Sequence, residues 1–286
     1  MSQMPFVDPA EVFRGVMVVA APHMDDEVLA CGGTIARLPV KERIQFIYAT
    51  DGSQSPVPMF PRTRPSAPDL ASIRKQEAKA ALQVLGIPED NLHFLDLPDG
   101  QLRYHGRRLR RRLTEFFDGV RPSCVLVPFR YDRHPDHLAL NRAATAVLQA
   151  ASFPVDLIEY FVYYRWALLS GGDVRRFIRP DQLIRIDIHE QAAQKRRALD
   201  CYKSQTTLFF AWQDRPILPP KRLAEVSRSA ECFLRYDPHF PASTIFAHSR
   251  TWIRLVHLIE PSLKNGKEHL RTLLRMRRAW HGHPPE

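Results

Sequence analysis

VMVVAAPHMDDEVLACGG, residues 16–33, opens as a short Val-rich apolar run and closes as a helix-like segment, with Pro22 to Glu27 at the junction. A run of this length bounded by turn residues predicts a buried strand, Gly15 to Ala21, followed by a helix over roughly Glu27 to Leu38. Gly32 and Gly33 fall inside that helix, where glycine costs stability. Their expected use is close packing of the helix on a sheet. About a hundred residues later the pattern returns: the apolar run Val125 to Phe129 leads into His134, Pro135, Asp136 and His137. In an open α/β sheet the carboxyl ends of neighbouring strands meet at one crevice, so the two segments are expected to face each other.

The rest of the chain supports that architecture. Further strands are expected at Arg43 to Ala49, Leu92 to Leu95, Ser123 to Phe129, Val155 to Tyr163 and Leu183 to Ile188. Helices are expected from Asp69 or Ser72, as caps, to a stop at Gly86. Others are expected at Leu109 to Val120 with Leu109, Leu113, Phe116 and Phe117 on one face, at His137 to Ala151, at His189 to Tyr202 and at Lys221 to Ser229. Ser53 to Pro68 is rich in Pro and Ser and reads as a long loop. Strands alternating with helices predict an α/β, Rossmann-like, mostly parallel sheet covered by helices on both faces. Trp252 to Trp280 reads as one or two basic amphipathic helices. The expected division is a domain over 1–237 and a basic C-terminal helical extension over 238–286.

The chain has 286 residues, of which 44% are hydrophobic, enough for a large core. No stretch approaches a membrane span, and no basic segment precedes the first apolar run, so a cytoplasmic protein is expected. Cys31, Cys124, Cys201 and Cys232 lie far apart without a CxxC pair, which points to reduced thiols in the core. The net charge of +10 admits nucleic acid, an anionic surface or an anionic substrate. The run Arg107, Arg108, Arg110, Arg111 and Arg112 could contact phosphates, but no nucleic-acid motif accompanies it. A solvated face is the simpler reading, and no nucleic-acid partner is expected. GxSxG, GxGxxG and GxxxxGK[ST] are absent, which disfavours serine hydrolases, dinucleotide binding and P-loop chemistry.

The two junctions carry an N/O donor set suited to a divalent metal. His23 and Asp26, three residues apart in a strand-to-helix turn, can converge on one ion, and His137 can close the site from across the crevice. Asp25 is then placed as a general base beside the metal. His134 could stabilise an oxyanion or protonate a leaving amine, with Asp132 or Asp136 holding its other ring nitrogen and favouring its charged form. The competing reading makes Asp25, Asp26 and Glu27 helix N-terminal acids and Asp136 a helix cap. Two junctions of matched placement favour the metal.

These residues resemble the LmbE/PIG-L family of zinc-dependent N-acetyl-sugar deacetylases. Its Pro-His-Pro-Asp-Asp-Glu run corresponds to Pro22 to Glu27, with Met24 in place of proline, and its His-Pro-Asp-His run is matched by His134 to His137. Thr50-Asp51-Gly52, Arg74 with Glu77, Leu97 to Gly100, Lys195, Ala198, Tyr202, Ser204, Gln205, Glu231 and Phe233 follow its later signposts. The resemblance implies Zn2+, or another divalent metal, on His23, Asp26 and His137. It further implies Asp25 as base, His134 as stabiliser of the tetrahedral intermediate, and Arg74 and Asp99 as sugar contacts. The implied reaction removes the acetyl group of an N-acetylglucosamine-type sugar or glycoconjugate. Hydrolysis of another amide or a carbamate stays open.

Arg74 equally suits an exposed helix position paired with Glu77, and Asp99 a simple turn. In the extension, Leu258, Leu263, Leu270 and Leu274 alternate with Lys264, Lys267, Arg271 and Arg275. Packing on the catalytic domain is favoured there over peripheral contact with an anionic membrane.

Overall fold

In the computed structural model, residues 5–56, 67–130, 132, 134–162, 180–227 and 229–236 are described. The basic extension therefore lies outside the described residues, as does most of the loop from Ser53 to Pro68. In chain order the elements are α1 (Pro9–Val12), β1 (Met17–Ala21), α2 (Asp26–Arg37), β2 (Ile44–Thr50), α3 (Ala67–Val84), β3 (Leu92–Leu97), α4 (Gly106–Val120) and β4 (Cys124–Pro128). Then come α5 (Pro135–Gln149), β5 (Asp156–Tyr160), β6 (Leu183–Asp187), α6 (Ala192–Asp200), α7 (Lys203–Thr206), α8 (Pro220–Val226) and β7 (Ala230–Arg235).

The strands form a seven-stranded sheet in the order β3-β2-β1-β4-β5-β7-β6. All pairs from β3 to β5 are parallel, and β7 runs antiparallel to both β5 and β6. The chain moves from β1 outward to β3, then returns to β4 on the other side of β1. The gap between β1 and β4 is thus the switch point where an α/β sheet opens a crevice.

β1 shows why the opening run is apolar throughout. Met17, Val19 and Ala21 enter one core with Val28 and Ile35 of α2, Ala78 and Leu82 of α3, and Leu199 of α6. Val18 and Ala20 enter a second core with Leu109, Leu113 and Phe117 of α4 and Leu140 and Ala144 of α5. A strand buried on both faces cannot alternate with polar residues. On α4 the apolar stripe is the expected one, and Arg107, Arg108, Arg110 and Arg111 are exposed.

Three sequence expectations change. Ala230–Arg235, to which no strand was assigned, is β7, wedged between β5 and β6. Helix α3 already begins at Ala67, so Asp69 lies in its first turn and Ser72 inside it, and neither is the cap. Of the cysteines, Cys31 and Cys124 are buried, while Cys201 and Cys232 are only partly so; all are free. No helix among the described residues is long and apolar enough to cross a membrane.

The glycines of α2 do allow close packing. A Cβ on Gly33 would lie 2.5 Å from Ile188 Cδ1, and one on Gly32 would lie 3.2 Å from Lys195 Cγ. Side chains also reach the helix backbone here. Glu231 of β7 accepts from the Gly33 and Thr34 N–H groups at 2.8 and 2.7 Å, and Lys195 Nζ donates to the Leu29 carbonyl at 2.9 Å and to Glu231 at 2.7 Å. A helical Gly→Ala change ordinarily stabilises by about 0.5–1 kcal/mol. Gly119→Ala on α4, where an added Cβ meets nothing within 4 Å, should show that gain in urea unfolding. Gly33→Ala should instead destabilise by about 1–3 kcal/mol through overpacking. Equal gains from both variants would contradict the packing described.

Candidate active site

β1 ends in a turn tied to β2: the Pro22 carbonyl accepts from the Thr50 hydroxyl at 2.8 Å and the Thr50 N–H at 3.0 Å. From there the side chains divide. Met24 is fully buried in the core, while His23, Asp25 and Asp26 stand at the crevice. Asp26, the first residue of α2, accepts from the His23 N–H at 3.1 Å through Oδ2. The same oxygen lies 3.2 Å from His23 Nδ1 and 3.2 Å from His137 Nε2. One carboxylate oxygen thus sits between imidazoles from the β1 and β4 junctions.

The β4 side is organised by its aspartates. Asp132 Oδ1 accepts from the His134 N–H at 3.0 Å and lies 3.3 Å from His137 Nδ1. Asp136 reaches the other way, with Oδ2 3.3 Å from His23 Nε2. It also accepts from the Gly100 and Leu102 N–H groups at 2.7 and 3.0 Å. Asp99 joins at the same ring, 3.1 Å from His23 Nε2, and accepts from the Gln54 N–H at 2.9 Å. Neither Asp132 nor Asp136 is spent on the His134 ring. Instead, the His134 side chain caps α5, its Nδ1 accepting from the Asp136 N–H at 3.3 Å. The cap is His134, not Asp136, and an accepting Nδ1 places the proton of a neutral ring on Nε2.

The charges follow from these contacts. Asp26 is buried, which alone would favour its neutral form, but the His137 and His23 rings hold it well below the usual carboxylate range. His137 is buried, yet Asp26 and Asp132 lift it to about 9. His23 is likewise raised against its burial by Asp136, Asp26 and Asp99. Burial, together with the charges on His23 and His137, pushes His134 down to about 3. The carboxylates expected to favour a charged His134 are turned to the other two imidazoles, Asp132 to His137 and Asp136 to His23. Burial raises Asp25 to about 8, with Arg74 opposing the shift.

Asp25 occupies the N-cap position of α2 without capping it through its side chain. Its carboxylate makes no capping bond, and the residue has φ 125° and ψ −27°. Its Oδ1 lies 3.4 Å from Arg74 Nη2. Arg74 is itself buried, donating to the Met24 carbonyl and, at 3.1 Å, to the Ser55 carbonyl. That excludes the exposed pairing with Glu77, whose carboxylate accepts from the Ser204 N–H and hydroxyl at 2.7 and 2.6 Å. Gln205 exchanges two hydrogen bonds with Ser55. The residues that the sequence marked without a role, Glu27, Tyr202, Ser204 and Gln205, thus form the wall behind Asp25. Only their resemblance to family signposts singled them out, because a buried partner more than a hundred positions away leaves no local pattern.

His23, His134 and His137 form one group of potential ligands, and His23, Asp99 and Asp136 a second, with the ligand atoms of each within 4.8 Å of one another. Asp26 Oδ2 touches the rings of His23 and His137. Imidazole nitrogens and carboxylate oxygens brought this close fit a divalent cation.

Residues 18–148 match the family described as GlcNAc-PI de-N-acetylase, PIG-L. Curated relatives include diacetylchitobiose deacetylase of Thermococcus kodakarensis, 33% identical over 137 residues, which are 46% of this chain and 47% of that protein. A probable N-acetyl-alpha-D-glucosaminyl L-malate deacetylase 2 of Bacillus cereus is 29% identical over 199 residues, covering 68% of this chain and 84% of its own. The chain spans about half the length of the first of these relatives. Among solved structures, the conserved protein TT1542 of Thermus thermophilus superposes with a TM-score of 0.56 at 24% identity, over 79% of this chain and 99% of that one. Diacetylchitobiose deacetylase of Pyrococcus horikoshii gives 0.52 at 21% identity, over 71% and 74% of the two chains. These superpositions establish the fold. Both sequence junctions and the switch-point crevice lie in or beside the segment, residues 18–148, that matches the PIG-L (LmbE) family.

Proposed function

We propose that the protein is a zinc-dependent N-deacetylase of N-acetylglucosamine-type amino sugars or their conjugates. The observation that carries this reading is the placement of Asp26 Oδ2 between His23 and His137, with Asp25 and His134 beside them. The similarity to relatives named as a diacetylchitobiose deacetylase and a probable N-acetyl-alpha-D-glucosaminyl L-malate deacetylase supports the bond and the substrate class.

In this reading His23, Asp26 and His137 hold the metal, and Asp132 orients His137 from its far ring nitrogen. Bound zinc supplies Lewis acidity for the acetamide carbonyl and for the attacking water. Asp25 takes the proton of that water. Its burial makes it a better proton acceptor than an ordinary carboxylate, which suits a general base. Neutral His134 offers its Nε2–H to the oxygen on which negative charge develops. The proton taken by Asp25 then goes to the departing amine, and acetate is released. Arg74 and Asp99 are the proposed sugar contacts. Arg74 also keeps Asp25 in place, and Asp99 shares its oxygen with His23.

Asp25→Asn should retain bound zinc and lose about 10²–10⁴-fold in turnover, the usual cost of removing a general base. Acetate release near the wild-type rate would refute the assignment. His23→Ala and His137→Ala should each lower the zinc content measured by elemental analysis, and full stoichiometry in both would exclude them as ligands.

Proton and metal should also compete. In the metal-free protein Asp25 is raised to about 8 and His137 to about 9. Between pH 6 and 8 the folded state then holds more protons than the unfolded chain, so metal-free stability falls as pH rises. Ligation requires the ligands to be deprotonated, so the rise in Tm on adding zinc should grow over the same interval. Thermal scans of chelated and zinc-loaded protein check this. An increment that shrinks from pH 6 to 8 would contradict the site.

A further inference from the structure

Residue 25 is the one place in the site where the backbone is held against its preference. Its φ of 125° and ψ of −27° lie outside the regions open to a residue with a Cβ. Such a conformation persists only where its surroundings over-determine it. All polar groups of the residue are engaged. Its carbonyl accepts the Leu29 N–H at 2.9 Å, opening the helical ladder of α2. Its carboxylate faces Arg74. Its N–H donates to Glu27 Oε2 at 3.0 Å.

Glu27 is fully buried. Its second oxygen, Oε1, accepts from the Tyr202 hydroxyl. Tyr202 immediately precedes α7, whose Ser204 and Gln205 fix Glu77 and Ser55. A buried carboxylate is retained only when its desolvation is compensated, and both oxygens of Glu27 are directed at holding this turn. The arrangement resembles a capping box drawn one residue tighter: the acid returns to the N–H of the residue at the helix cap, from the second helical position rather than the third.

We propose that Glu27, anchored by Tyr202, is a positioning residue that holds Asp25 in its left-handed conformation, so that consecutive carboxylates serve different roles at one site. Asp26 then turns to the imidazoles of His23 and His137, and Asp25 to the space beside them. The catalytic consequence rests on the deacetylase reading. The backbone consequence does not.

Glycine is at home at φ 125° and alanine is not. In the otherwise wild-type chain Asp25→Gly should therefore melt higher than Asp25→Ala, by roughly 2–6 °C for a strain of this type in a chain of this size. Glu27→Met keeps length and burial but cannot accept the Asp25 N–H. In that background the glycine advantage should vanish, whereas in Glu27→Gln, which retains an acceptor oxygen, it should persist. If Glu27→Met does not fold, Tyr202→Phe carries the same comparison and should shrink the advantage. A full glycine advantage in the background that folds overturns the proposal.

On acetate release, Glu27→Met should lose about 10–100-fold in kcat with KM and zinc content little changed, and Glu27→Gln should recover most of it. In the Asp25→Asn background Glu27→Met should cost no further activity. Additive losses would mean that Glu27 acts otherwise than through Asp25, overturning the proposal. Should the wild type release no acetate from any N-acetylated sugar, the deacetylase reading fails, and the thermal comparison still decides the role of Glu27.

Discussion

The site depends on one steric constraint: successive residues of a strand-to-helix turn point in different directions, yet Asp25 and Asp26 must both face the crevice between β1 and β4. The chain meets it with a left-handed residue 25, which few side chains tolerate and none prefer. Much of the surrounding structure follows from that choice. Met24 is buried in the core, where its Cε would lie 3.0 Å from a Cβ at position 52, whose φ of 67° itself favours glycine. Arg74 is drawn fully inside to bind the Met24 carbonyl and Asp25. Glu27 and Tyr202 close the turn from behind.

The wall behind the site is built from buried charge, each piece satisfied by backbone or by an opposite partner. Glu231 and Lys195 bond each other and the peptide groups of α2. Glu159 pairs with Arg130 and Asn141 next to the end of β4. Removing one member of such a set strands the others, which is more costly than the set's own contribution is large. Rigidity is the gain: β1 and β4 carry the imidazoles, and these contacts fix where each strand ends.

What the sequence made legible is what local periodicity encodes. The Val-rich runs, the stripe Leu109, Leu113 and Phe117, and the alternation of strand and helix suffice to place both junctions at one crevice. What it hid is long-range partnership. Arg74, with an acid at i+3, suits a surface pair as well as a substrate contact, but its partners come from Met24, Asp25 and Ser55. Asp136 sits two residues from His134 yet turns its carboxylate to His23, since the His134 ring is occupied in capping α5. β7 escaped because its six residues, AECFLR, include a buried glutamate whose partners lie in α2 and α6.

Charge illustrates the same separation of scales. The chain as a whole carries +10, which by itself suggests an anionic partner. The crevice has the opposite character, with Asp25, Asp26, Asp99, Asp132 and Asp136 all buried around three imidazoles. In the absence of a metal, His23 and His137 answer that charge by binding protons, which adds to burial in lowering the proton affinity of His134 beside them. Exposed arginines on α4 are screened by solvent and salt, whereas buried carboxylates act on one another at short range in a poorly polarisable medium. The local acidity of the crevice, not the global basicity of the chain, therefore determines what it holds, and a divalent cation answers that acidity without requiring the imidazoles to remain protonated.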